Sequence, residues 1–272
     1  MPHLTVQGVD VFYRDEGHGT AIILGHSATG SSAQWRELAG ELSGRYRLIA
    51  PDHLGYGRTG AYPGGPQVFD LEVTIIEALV ELTDAPVHLI GHSYGGHILT
   101  RAAIRMPDRL RSLSLIEPSL FQLLSPAGRL EEHAEIKAIA DSVVHYVERG
   151  DAREAARGFI NYWVGEGAFD TMDERVQRAV VAGMPKLRTE WLSAFDPSGV
   201  AIDALKSIAV PIQLISGSKT TSAARAVVDT LREIWPEAQY HEIEGAGHMS
   251  PLTHSEVVNS LLGEFLDEHA SN

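Results

Sequence analysis

Short apolar runs alternate with helix-like stretches along most of this chain, and that rhythm narrows the fold more than any single motif. Residues 21–24, 46–50, 87–90, 113–116, 212–215 and 240–243 are too short for helices and are bounded by turn-forming residues. Between several of them lie segments with helical spacing, such as Val73, Ile76, Leu79 and Val80. Alternation of this kind implies βαβ crossovers, hence a mostly parallel sheet with helices on both faces. Ahead of the first run, residues 4–6 and 9–14 alternate apolar with polar around Gly8. They predict an antiparallel hairpin at a sheet edge and bring the expected strands to eight.

The run 87–90 leads into Gly91-His92-Ser93-Tyr94-Gly95-Gly96 and a helix predicted over 94–106. Gly-x-Ser-x-Gly alone is a weak pattern, because glycine and serine gather in any loop. Here the strand before it and the helix after it supply the context that gives the pattern meaning. A turn this tight excludes a Cβ on its flanks and forces Ser93 into a strained backbone conformation. It lifts the hydroxyl above the sheet edge at a helix N-terminus. Ligands of parallel sheets bind beyond the carboxyl ends of the strands. Ser93, Glu117 and the loop at His26 all fall at such ends.

From residue 119 to 207 the alternation stops. Helices are predicted over 130–146, 152–164, 173–182 and 187–195, with no convincing strand among them. This segment is expected to be a helical lid inserted into a core made of residues 1–118 and 208–272. Most of its apolar side chains should form its own interior. Phe121, Tyr162 and Trp163 are candidates to contact substrate, together with His26 and Met249 from the core.

Lysine and arginine total 22 against 36 acidic residues, a formal net charge of −14, which argues against nucleic acid or an anionic membrane as partner. Absence of cysteine excludes disulfides, thiolate catalysis and thiolate-bound metal. No metal-binding or cofactor-binding motif is present, so a small-molecule substrate with no cofactor is expected. The first residues lack a secretory pattern and no apolar run could span a bilayer, so a cytoplasmic setting is expected. Monomer and homodimer are both open.

A serine hydroxyl is a poor nucleophile at neutral pH without a base beside it. Of the 13 histidines, His248 is the best placed, in a glycine-led loop after the last strand run. His26 is expected to anchor its loop, His92 to point away from the serine, and His97 to pack locally. The backbone N–H groups of Tyr94 and Ala28 are candidates to hold a developing oxyanion.

Taken together, His26-Ser27-Ala28-Thr29-Gly30, Asp52-x-x-Gly55-x-Gly57-x-Thr59, Gly91-His92-Ser93-Tyr94-Gly95-Gly96 and Gly245-x-Gly247-His248 resemble the α/β-hydrolase superfamily over essentially the whole chain. The resemblance implies Ser93 as nucleophile, His248 as general base and then acid, and a helical cap after the sixth strand. Asp52 and its glycines are expected to shape a turn, and Arg58 to be structural. Members of the superfamily usually carry an aspartate three residues after the glycine ending the seventh strand, but Thr220 stands there. Threonine cannot stabilise an imidazolium, so Thr220→Ala is expected to matter little. Some members place the acid after strand six instead, the position of Glu117.

The expected activity is therefore a carboxylesterase-like serine hydrolase working through Ser93, His248 and Glu117 on a small, largely apolar acyl compound. One alternative is C–C bond hydrolysis of ring-cleavage products, which usually needs a cation for the substrate carboxylate. A non-catalytic ligand-binding protein on the same scaffold is the other.

Overall fold

The computed structural model describes residues 2–62, 64, 68–83, 86–196 and 200–270. Its strands are β1 (His3–Val6), β2 (Val9–Gly17), β3 (Thr20–Gly25), β4 (Tyr46–Pro51), β5 (Val87–His92), β6 (Leu110–Ile116), β7 (Ile212–Gly217) and β8 (Gln239–Ile243). They form one eight-stranded sheet in the order β1-β2-β4-β3-β5-β6-β7-β8. β1, β2 and β4 pair antiparallel, and from β4 to β8 every pairing is parallel. The hairpin between β1 and β2 turns on Gln7 and Gly8, both at positive φ, the backbone that a two-residue loop requires to match the strand twist.

The helices are α1 (Arg36–Leu42), α2 (Val68–Val80), α3 (Tyr94–Arg105), α4 (Leu130–Glu148), α5 (Ala152–Val164), α6 (Ala168–Thr171), α7 (Glu174–Ala194), α8 (Ile202–Lys206), α9 (Ser222–Ile234), α10 (Ser250–Thr253) and α11 (Ser255–Glu268). Successive strand residues point to opposite faces. Ile22, Leu24, Leu48 and Ile90 therefore pack with Leu38 of α1 and Leu262 of α11. Their neighbours Ile23, Ile49 and Leu89 pack with α2, α3 and α9 on the other face. Both faces are covered, as parallel strands with continuous apolar runs require.

The segment after β6 is helical, as its sequence suggests. α4, α5 and α7 pack on one another, α7 also touches α2, and α4 touches α9. The short α8, just before the boundary at 207, packs against α3 and α9. The two helices expected over 173–182 and 187–195 are one continuous helix, α7, running through Pro185. A proline there forfeits the hydrogen bond to the carbonyl of Val181. Burial of Val180, Met184, Leu187 and Trp191 along the helix holds it in one piece despite that loss. Among the described residues no helix is long and apolar enough to cross a membrane.

What seats α3 against the sheet is contact between glycines. A Cβ built on Gly95 would lie 2.2 Å from the carbonyl carbon of Gly25, and one on Gly91 would lie 2.5 Å from Cα of Gly96. Gly95→Ala is expected to lower the unfolding free energy by roughly 1–3 kcal/mol, the usual range for overpacking. Gly44→Ala, where nothing lies within 4 Å of the new methyl, should stay within about 0.5 kcal/mol of wild type. Urea unfolding of both variants checks the contrast.

Candidate active site

Ser93 occupies the turn between β5 and α3 with φ 53° and ψ −117°, a conformation that L-residues rarely adopt. Several bonds hold it there. Its N–H donates to the carbonyl of Ile116 at the end of β6 (3.0 Å), and its own carbonyl accepts from the N–H groups of His97 and Ser119 (both 3.1 Å). Strain that persists under such over-determination commonly marks a functional position.

His248 reaches Ser93 from the loop after β8. Its Nε2 is 3.0 Å from Ser93 Oγ, and its Nδ1 is 2.6 Å from Glu117 Oε2. The carboxylate can only accept, so Nδ1 carries the ring proton and Nε2 is left to accept from the serine hydroxyl. Below the ring, Nε2 of His92 donates to the carbonyl of His248 (2.9 Å). Burial, with the nearby His248, pushes the His92 imidazole down to about 3, so it stays neutral. His92 thus turns away from the serine hydroxyl, as expected, and holds the backbone of His248.

Glu117 follows β6 at φ 41°, like Ser93 a non-glycine residue at positive φ. Its Oε1 accepts from the N–H of Gly217 (2.7 Å), and its Oε2 accepts from Thr220 Oγ1 (2.6 Å) as well as from His248. Burial works to raise its pKa. The hydrogen bond and charge of His248, with the bonds from Thr220 and Gly217, more than offset that and hold it below the usual carboxylate range. Thr220 therefore has a part in the site, contrary to expectation. The hydroxyl at the usual acid position is a donor that ties the displaced carboxylate in place.

The loops after β7 and β8 are zipped together. Ser218 N–H donates to Ile243 O (2.9 Å), Lys219 N–H to Ala246 O (2.8 Å), and Gly245 N–H to Ser218 Oγ (2.8 Å). The Asp52 segment forms the turn expected of it. Its carboxylate accepts from the N–H groups of Ser32 (2.6 Å) and Arg58 (2.8 Å), and its carbonyl accepts from Thr59 Oγ1 (2.6 Å). The Arg58 guanidinium lies over the Phe12 ring.

Ser93 opens into a cavity whose space, counted together with the open solvent at its mouth, is about 360 Å³. Ala28 and Tyr94 line it beside the serine, and Phe69, Phe121, Phe159, Trp163, Leu187 and Trp191 supply much of its apolar wall. Trp163 also stacks on His248, with ring centroids 4.0 Å apart and planes at 27°. Phe121 and Trp163 are therefore at the site. The other three candidate substrate contacts do not line the cavity. His26 is spent on its loop, donating from Nδ1 to Ser27 O (2.7 Å) and accepting at Nε2 from the N–H of His53 (2.9 Å). Tyr162 directs its hydroxyl to Glu135 (2.6 Å), and Met249 sits at the start of α10.

Sequence reasoning missed a buried ion group behind Tyr94. Lys186 Nζ is 3.0 Å from both Glu72 Oε1 and the Tyr94 hydroxyl, and also pairs with Glu190. Glu72 accepts as well from the Leu54 N–H (3.1 Å) and the Tyr94 hydroxyl (3.1 Å), and lies 3.1 Å from His53 Nδ1. The available signal was the i, i+4 pair Lys186–Glu190 on a helix face that is otherwise apolar. His97 was placed correctly as a local residue: its Nδ1 donates to Ser119 O, Nε2 accepts from Arg101, and its ring stacks on Phe69.

The doubly covered parallel sheet with the Gly-x-Ser-x-Gly turn after its fifth strand defines an α/β hydrolase, and the chain belongs to that family, whose model matches residues 18–261. Along 98% of its length it is 26% identical to RutD of Azorhizobium caulinodans, named as a carbamate hydrolase, and covers 99% of that protein. It is 27% identical to the 2-hydroxymuconate semialdehyde hydrolase of Pseudomonas sp. CF600, covering 96% of this chain and 92% of the relative. The enol-lactonase of Burkholderia xenovorans LB400 shares the fold, with a TM-score of 0.78 at 20% identity over 98% of this chain and all of that one. These relatives are hydrolases, which supports hydrolase activity for the chain.

Glu72 links the site to acid stability. Burial opposes its ionisation, but the charge of Lys186 and then His53 bring its pKa down from 4.5 to about 2. A depressed carboxylate contributes stability that is complete above the unfolded value and is lost as pH falls through the folded one. Wild-type stability should therefore drop between about pH 4.5 and 2, and Glu72→Gln should flatten that slope while lowering stability at pH 7. Urea midpoints across a pH series check both.

Proposed function

We propose that this chain is a cofactor-free serine hydrolase acting on small, largely apolar esters. The observation that carries the reading is the continuous chain Ser93 Oγ, His248 Nε2, His248 Nδ1, Glu117 Oε2, with steps of 3.0 and 2.6 Å across the ring. In this scheme Ser93 Oγ attacks the ester carbonyl as its proton passes to His248 Nε2. The backbone N–H groups of Ala28 and Tyr94 receive the oxyanion. The imidazolium then gives its proton to the departing alkoxide, leaving an acyl group on Ser93. Water, deprotonated by the same nitrogen, releases the acid. Glu117 stays ionised throughout and stabilises the imidazolium, a task for which its depressed pKa suits it.

The apolar wall of the cavity favours an apolar acyl chain. The C–C hydrolase alternative gains less support. Its substrate carboxylate calls for an available cation, whereas Lys186, beside the cavity-lining Tyr94 and Glu190, is already shared by two carboxylates and the rings of Tyr56 and Tyr94.

A fluorophosphonate probe should add once to the protein, with the adduct on Ser93 by peptide mass spectrometry. No adduct on Ser93 would favour the ligand-binding alternative. In a chain-length series of nitrophenyl esters, Glu117→Gln should lower kcat by about 10³–10⁴-fold, by analogy with loss of the acid in other triads. Thr220→Ala removes one donor to a charged acceptor and should cost roughly tenfold. Near wild-type turnover in Glu117→Gln would reverse the assignment of the acid.

A further inference from the structure

The proposed reaction makes no use of the buried ion group, yet one of its members faces the substrate cavity. Among the described residues that line the cavity, Glu190 is the one carboxyl. It comes from the face of α7 that also brings Leu187, Trp191 and Ala194 there, a spacing of i, i+3, i+4 and i+7 about Leu187 at which the other three side chains are apolar. A carboxyl buried to 3% exposure on an apolar stripe is costly to keep ionised.

Lys186 compensates it only in part. That lysine also serves Glu72, whose carboxyl is firmly ionised. Around the group, burial keeps His26 and the phenols of Tyr56 and Tyr94 neutral. Two carboxyls thus share one ammonium, and burial raises the pKa of Glu190 against the opposing pull of Lys186 and the Tyr56 hydroxyl. A ligand cation placed beside Glu190 favours its ionised form, and a ligand carboxylate opposes it.

Resting on the serine hydrolase reading above, we infer that Glu190 determines specificity. The cavity selects acyl groups that carry an ammonium, or more weakly a hydroxyl, and rejects acyl groups that end in a carboxylate. Glu190 acts by binding and takes no proton in the reaction.

Three nitrophenyl esters with the same two-methylene spacer test this at pH 7: butyryl (neutral), 3-aminopropanoyl (ammonium) and succinyl (carboxylate). In wild type the order of kcat/KM should be aminopropanoyl, butyryl, succinyl, with about tenfold at each step, the size of one charge-assisted hydrogen bond. Glu190→Gln should lower the aminopropanoyl-to-butyryl ratio about tenfold and raise the succinyl-to-butyryl ratio, and Glu190→Asp should restore the wild-type order. Equal loss on all three esters, or an unchanged order in Glu190→Gln, would make Glu190 only a strut between α7 and the core and overturn the inference. A second arm needs no turnover. Millimolar butylammonium should raise the Tm of wild type but not of Glu190→Gln, and butyrate should not raise either. If no ester is cleaved yet the ammonium still binds through Glu190, the catalytic reading has failed and the charge selection stands. If esters are cleaved without charge preference and butylammonium gives no shift, the reverse holds.

Discussion

The structure of the site depends on one buried carboxylate whose oxygens both have partners. Glu117 sits past the end of β6 in a backbone conformation unfavourable to it, and three donors from two other segments converge on it: Gly217 N–H, Thr220 Oγ1 and His248 Nδ1. Those bonds draw the loop after β7 and the loop after β8 onto the end of β6. Without them the carboxylate would face its full desolvation cost, and the imidazole would have nothing to fix its tautomer. The loops are further joined by their own backbone bonds, so the position of His248 is set by a network and not by one contact. Ser93 completes the arrangement from β5, where its strained turn is tied back to β6 through the carbonyl of Ile116.

Over this core lie the helices that follow β6. They contribute much of the cavity wall, stack Trp163 against the imidazole, and place Lys186 against the Tyr94 side chain, whose backbone N–H is a proposed oxyanion donor. The side chain of Tyr94 is thus pinned both by Glu72 from α2 and by Lys186 from α7. Geometry at the reacting centre is shared between the sheet and the helices that cover it, which is the arrangement that holds a site rigid on its scaffold.

Much of this was legible in the sequence. Strand and helix alternation specified the sheet, because a two-sided parallel sheet needs continuous apolar runs that are hard to mistake. Gly91-x-Ser93-x-Gly95 was readable because steric exclusion of a Cβ leaves a trace in the residue types themselves, and Gly245-x-Gly247-His248 because the positive φ at Gly245 favours glycine. Glu117 could be named from the absence of an acid at Thr220, but not the service that Thr220 performs, since a hydroxyl donor has no sequence signature of its own. His26 anchors its loop as expected, and it fails only as a substrate contact, because both ring nitrogens are occupied in that loop. The expected gap between 182 and 187 does not exist, because burial on both sides of Pro185 keeps the helix whole. The group formed by Glu72, Lys186 and Glu190 joins α2 to α7 across 114 residues of sequence, a separation at which local patterns carry no information.

Glu117 holds His248 with its proton on Nδ1 and its Nε2 free to face Ser93. Nitrogen-15 NMR of the histidine rings at neutral pH reads that tautomer. His248 should be the Nδ1–H form, with a strongly downfield ring proton that collapses in Glu117→Gln. A His248 ring protonated on Nε2, or a downfield proton indifferent to the loss of the Glu117 charge, would contradict it.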